Sequence, residues 1–118
     1  MITTKTNCSE TEIRNRIIKE CADIAILYIY TVGKFYTFDG RLIKIGIPGF
    51  TDLFGFRISD KKMVFIETKT DLGKLRNEQK KFIHAMKNNG CLVGVARNTE
   101  QARKIIQEGE TSWKIKLN

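Results

Sequence analysis

The apolar positions of this chain repeat with two different periods. Ile13, Ile17, Cys21 and Ile24 recur at helical spacing, Ser9 stands where a helix cap is needed, and Glu12 three residues on completes a capping box. Tyr28 to Phe38 is instead rich in aromatic and β-branched residues, interrupted by Gly33, and Asp39-Gly40 predicts a two-residue hairpin turn into RLIKI. TDLFGFRIS and MVFIETK flank SDKK, which predicts a second hairpin. In LGKLRNEQKKFIHAMKNNG, Leu75, Gln79, Phe82, Ile83 and Met86 form one helical stripe that Gly90 ends. CLVGVA reads as a short buried strand, NTEQARKIIQEG as a helix capped by Asn98, and Trp113, Ile115 and Leu117 alternate as a last strand. Helix, three or four strands, helix, strand, helix: this order predicts one α/β domain over residues 1–118, with a central mixed β-sheet flanked by helices.

One strand carries more than packing. Met63, Val64, Phe65 and Ile66 form an apolar run, yet Glu67 and Lys69 follow it on a single face, about 7 Å apart. With the turn centred between Asp60 and Lys61, Asp52 falls opposite Lys69 and Phe54 opposite Glu67, so that Asp52, Glu67 and Lys69 converge. Two carboxylates and an ammonium this close suit phosphodiester hydrolysis with Mg²⁺ or Mn²⁺. The carboxylate oxygens and the Thr68 carbonyl can hold such a hard cation, which also takes phosphate oxygens and water, while the lysine orients the attacking water and stabilises charge. Taken alone, E-x-K after an apolar run is commonly no more than a strand-end ion pair, with Asp52 a turn residue.

Charge narrows the partners. The 118 residues contain 21 Lys and Arg against 13 Asp and Glu, a net charge of +8, which favours a polyanion such as nucleic acid. Hydrophobic and charged fractions of 42% and 29% are those of a water-soluble globular protein, and no apolar run is long enough for a bilayer. The start MITTKTNCSE lacks the apolar centre of a secretory leader. Cys8, Cys21 and Cys91 are odd in number and without zinc-site spacing, so a reducing cytoplasm is the expected location.

G-I-P-G-F-T-D at 46–52, I-E-T-K at 66–69 and G-K-L-R-N-E-Q at 73–79, with S-E-T-E-I at 9–13 and T-V-G-K-F at 31–35, resemble the virus-type replication-repair nuclease (VRR-NUC) family of the PD-(D/E)XK superfamily. The resemblance runs over roughly residues 9–106. It implies a restriction-endonuclease-like fold, Asp52 and Glu67 as metal ligands, Lys69 as the catalytic lysine, Glu10 as the acid of the first helix and Gln79 as the glutamine of the helix after the lysine. It further implies a phage-type protein of a bacterium or infected host cell, acting as a homodimer on branched DNA such as Holliday junctions. The alternatives are a restriction-like or nicking enzyme on duplex DNA, and a non-catalytic basic binding module. Where the family often has Ser or Thr as the cap before E-Q, this chain has Arg76-Asn77, which leaves the helix start open.

The auxiliary residues also make sense from their positions. Gln79 puts an amide on an apolar helical stripe, and otherwise would bond backbone there. Glu10, three residues before Ile13, is expected to project inward from the first turn as a metal-shell residue, or else to favour the helix dipole. Lys74, Arg76, Lys80, Lys81 and Lys87 offer DNA phosphate contacts beside the site, or a solvated face. His84, the single histidine, points away from Phe82, and GIPG lacks the G-K-[ST] of a phosphate loop. Tyr28 to Phe38 is the expected dimer surface.

Overall fold

A computed structural model describes residues 8–109. The elements are α1 (Glu10–Glu20), β1 (Ala25–Ile29), β2 (Gly33–Tyr36), β3 (Leu42–Ile45), β4 (Leu53–Arg57), β5 (Met63–Thr68), α2 (Asn77–Asn88), β6 (Leu92–Ala96) and α3 (Thr99–Glu108). β1, β4, β5 and β6 form one four-stranded sheet in that order, and β2 and β3 pair apart from it. The first three strands of the main sheet are antiparallel, and β6 joins β5 in parallel, so the sheet is mixed as expected. A parallel neighbour needs a crossover, and α2 supplies it.

Each face of the sheet carries its own core. On one, Ile13 and Ile17 of α1 and Ala102, Ile105 and Ile106 of α3 bury against Leu53, Val64 and Ile66. On the other, Ile83 of α2 packs with Phe65, Val93 and Val95, joined by Phe50, Phe54 and Phe82. Alternation along β5 therefore sends Val64 and Ile66 to one layer and Phe65 to the other, and the strand reads as a continuous apolar run because both faces are covered. The helix signals hold. Ser9 Oγ accepts from Glu12 N at 3.1 Å and Glu12 Oε1 from Ser9 N at 2.8 Å, while Asn98 Oδ1 accepts from Gln101 N at 2.8 Å.

Three local expectations change. Tyr28 to Phe38 divides: Tyr28 and Ile29 end β1, and the chain then leaves the sheet to make β2, giving five strands before α2. The loop between the paired Thr37 and Arg41, which joins β2 to β3, has three residues, not two. Thr37 N bonds Arg41 O at 2.8 Å and Gly40 N bonds Thr37 O at 3.0 Å, with Gly40 left-handed at φ 85°. The β4–β5 turn is centred one residue earlier than expected, which shifts each partner by two, so Phe54 faces Phe65, and Asp52, one residue before the ladder, faces Glu67 and not Lys69. A four-residue loop does this: Arg57 N bonds Lys62 O at 2.8 Å, Arg57 pairs with Asp60, and Lys61 takes the left-handed conformation at φ 62°. A slip by two leaves every side chain on its expected face. The strand expected at Trp113 to Leu117 lies outside the described residues. Among those residues no helix is long and apolar enough to cross a membrane.

Candidate active site

The approach to Asp52 is shaped by a tight turn. Phe50 N bonds Ile47 O at 3.1 Å, Pro48 occupies the second position and Gly49 the third with φ 78°, the signature of a type II turn. Gly49 lies so close to the first turn of α2 that a methyl group on it would collide with the Glu78 carbonyl oxygen. The Phe50 ring, 4.8 Å from that of Phe82 and 5.7 Å from that of Phe65, anchors the same turn in the core. Tyr30 secures it from the other side, since its N donates to Asp52 O at 3.0 Å and its hydroxyl accepts from Ile47 N at 2.6 Å.

Asp52 then reaches across to β5. Its Oδ1 accepts from Thr68 N at 2.9 Å and its Oδ2 from the Thr68 hydroxyl. Glu67, 5% exposed, accepts from Asp52 N through Oε1 at 3.2 Å and from Gln79 Nε2 through Oε2 at 2.9 Å. Lys69, 8% exposed, places Nζ 3.6 Å from Glu67 Oε2. Gln79 has a double role, because its Oε1 accepts from Arg76 N at 2.9 Å while its Nε2 holds Glu67. This settles the helix start left open by Arg76-Asn77: α2 begins at Asn77, and the glutamine supplies the cap contact that no Ser or Thr provides.

Burial sets the electrostatics. Loss of hydration pushes the Glu67 carboxyl up to about 7, the Asp52 charge adds to the rise, and Lys69 opposes it. Asp52 is also raised, first by burial, against the lowering effect of the two Thr68 bonds and of Arg14. Two acids this reluctant to ionise form a site that gains from a cation. Among the described residues no three His, Cys, Asp or Glu side chains are grouped to hold a metal by themselves. A pair of carboxylates suits Mg²⁺ or Mn²⁺, which keep water ligands and bind through one or two carboxylates plus substrate phosphate, and does not suit a closed tetrahedral zinc site.

A cleft of about 800 Å³ opens over this constellation. Glu10 lies in its lining, exposed at the rim, and its charge raises the pKa of Asp52 and Glu67 as the last of several causes. Of the basic residues read as DNA contacts, Arg76 lines the cleft, whereas Lys74, Lys80, Lys81 and Lys87 do not. His84 is exposed and bonds Asn88. Arg14, Lys34 and Lys44 also line the cleft and escaped the sequence reading. A signal was present for Arg14, which follows Glu10 by one helical turn, whereas the pairing of Lys34 with Lys44 emerges only with a loop centred on Asp39.

A comparison with curated proteins found no match. The family model described as the VRR-NUC domain matches residues 38–100, more than half of the chain, and that span includes Asp52, Glu67, Lys69 and Gln79 but not Glu10. With these residues gathered at one strand end inside the matched span, the expectation from the motifs is met, and the chain belongs to the VRR-NUC family, a family of nucleases.

Proposed function

We propose that this protein is a divalent-metal-dependent DNA endonuclease, and that it acts as a homodimer on branched DNA such as Holliday junctions. The observation that carries the reading is the half-buried Asp52 beside the buried Glu67, with Lys69 Nζ 3.6 Å from Glu67. Asp52, Glu67 and the Thr68 carbonyl would hold Mg²⁺ or Mn²⁺, with Glu10 at the rim. The bound cation supplies neutralisation of charge on the scissile phosphate and a water more acidic than bulk water. Lys69 orients the attacking water and stabilises the charge that develops as the water adds to phosphorus and the P–O bond to the leaving strand breaks. Gln79 fixes the Glu67 carboxylate, and the Thr68 N–H and hydroxyl fix that of Asp52, so neither must reorganise during reaction.

An uncovered part of the sheet supports the dimer. α2 packs chiefly on β6, and on the same face Tyr28 of β1 and Met63 at the start of β5 remain 54% and 46% exposed. A two-fold axis through that surface would present two sites to a roughly two-fold substrate. Incubation of the protein with Mg²⁺ or Mn²⁺ and a four-way junction, a flap or a linear duplex tests the reading, with Lys69→Ala and Glu67→Gln alongside. Junction cleavage is expected from the wild type, and DNA binding without cleavage from both variants. Binding without cleavage by the wild type in either metal removes the nuclease reading; equal cleavage of linear duplex removes the preference for branches.

A further inference from the structure

The β2–β3 hairpin stands apart from the main sheet and exposes every residue of β2. A two-stranded ribbon without a core of its own needs another reason to be held in place. Its root is fixed by Tyr30, the residue that bonds both the Asp52 carbonyl and the turn before Asp52. The arm is thus tied to the candidate catalytic loop.

Its two faces differ. Phe35, Ile43 and Ile45 alternate onto one, and Lys34 and Lys44 share the other as direct cross-strand partners. Like charges directly opposite one another oppose pairing of the strands. Neither lysine makes an ion pair among the described residues, yet both line the cleft that holds Asp52, Glu67 and Lys69. Arg14 enters the same cleft from α1, and its Nε is buried without a hydrogen-bond partner among the described residues. Three cationic side chains from α1, β2 and β3 therefore surround one space.

We infer that the β2–β3 hairpin is a phosphate-binding arm, in which Lys34, Lys44 and Arg14 grip the DNA backbone beside the phosphate to be cleaved. The inference rests on DNA as the substrate and deepens that reading by naming the contacts that seat the strand. A phosphate between Lys34 and Lys44 removes their mutual repulsion, and the fixed root sets the distance from this contact to Asp52.

Anisotropy titrations of a labelled four-way junction in EDTA, from 50 to 200 mM salt, test the arm with cleavage switched off. Each lost phosphate contact lowers the slope of log K against log[salt] by about 0.9, so Lys34→Ala/Lys44→Ala is expected to lose about 1.8 in slope and on the order of 50-fold in affinity at 0.1 M salt. Arg14→Ala is expected to lose about 0.9. Lys34→Arg/Lys44→Arg retains the wild-type slope. Lys62→Ala/Lys104→Ala, which removes the same charge away from the cleft, retains it too. A hairpin double variant that binds like this control overturns the inference, as does a wild type that does not bind. The two readings fail separately: a wild type that binds through the arm but cuts with neither metal sinks only the nuclease, and one that cuts while the double variant binds normally sinks only the arm.

Discussion

Burial of the Glu67 carboxyl costs the protein stability once it ionises, and the cost has a defined pH window. The carboxyl holds its proton to about pH 7 in the fold, against an ordinary value of 4.5. The folded state therefore binds more protons than the unfolded chain between these limits. The contribution of Glu67 to stability is full below 4.5 and is lost as the pH rises through 7. At 1.36 kcal/mol per pH unit the full difference is about 3 kcal/mol, or on the order of 10 °C in Tm for a domain of this size. Asp52, also raised by burial, acts in the same direction at the lower end of this window, and the other shifted groups lie outside it. Asp23, Asp39 and Asp60 have carboxyls lowered by Arg103, Thr37 and Arg57 respectively and act at acid pH, while burial pushes the Cys21 thiol up to about 11. Urea denaturation in EDTA at intervals from pH 5 to 8 measures the effect, with Glu67→Gln as reference. The wild type is expected to lose up to about 3 kcal/mol relative to the variant across that range. Mg²⁺ at pH 8 should restore the wild type and leave the variant unchanged. Parallel pH profiles for the two proteins in EDTA would refute the claim that Glu67 is buried with its proton.

Lys69→Ala should lower the cleavage rate at saturating DNA by about 10²–10³-fold, as for other single charge-stabilising donors, while the anisotropy titration shows binding within a few-fold of wild type. Gln79→Ala removes a bond to the buried Glu67 and the acceptor for Arg76 N, so urea unfolding should show a loss of about 1–3 kcal/mol together with slower cleavage. Gly49→Ala forces a left-handed alanine onto the Glu78 carbonyl, and thermal unfolding should register a loss of at least about 2 kcal/mol.

The elements that could be read from sequence were those whose signals are local. Ser9 with Glu12, Asn98, and the stripes through Ile17 and Ile83 each act within one or two helical turns, and the structure keeps them. The pairing of β4 with β5 was misjudged by two residues because the left-handed turn position is filled by Lys61, where no glycine marks it. The error left the site readable, since an even slip keeps Asp52 and Glu67 on one side. What pattern could not reveal was depth and direction. Period places Glu10 and Ile13 near one another on α1, but only packing decides that the first stays at the rim and the second is buried. Lys34 and Lys44 were hidden by a different limit, since their shared face depends on a three-residue loop that Asp39-Gly40 disguises as a two-residue one.

The turn at Ile47 to Phe50 and the hairpin β4–β5 draw Asp52, Glu67, Lys69 and Gln79 from one unbroken stretch of chain. Their contacts close over short sequence separations, so the chemistry is written as a cassette and owes little to the order of the remaining elements. The loop from Phe38 to Gly40 lies outside that cassette, at the tip of an arm whose root alone is pinned. Residues can be inserted or exchanged there without moving the carboxylates. On the proposed nuclease reading, changes at the tip are expected to alter which DNA is bound and to leave the cleavage chemistry as it is.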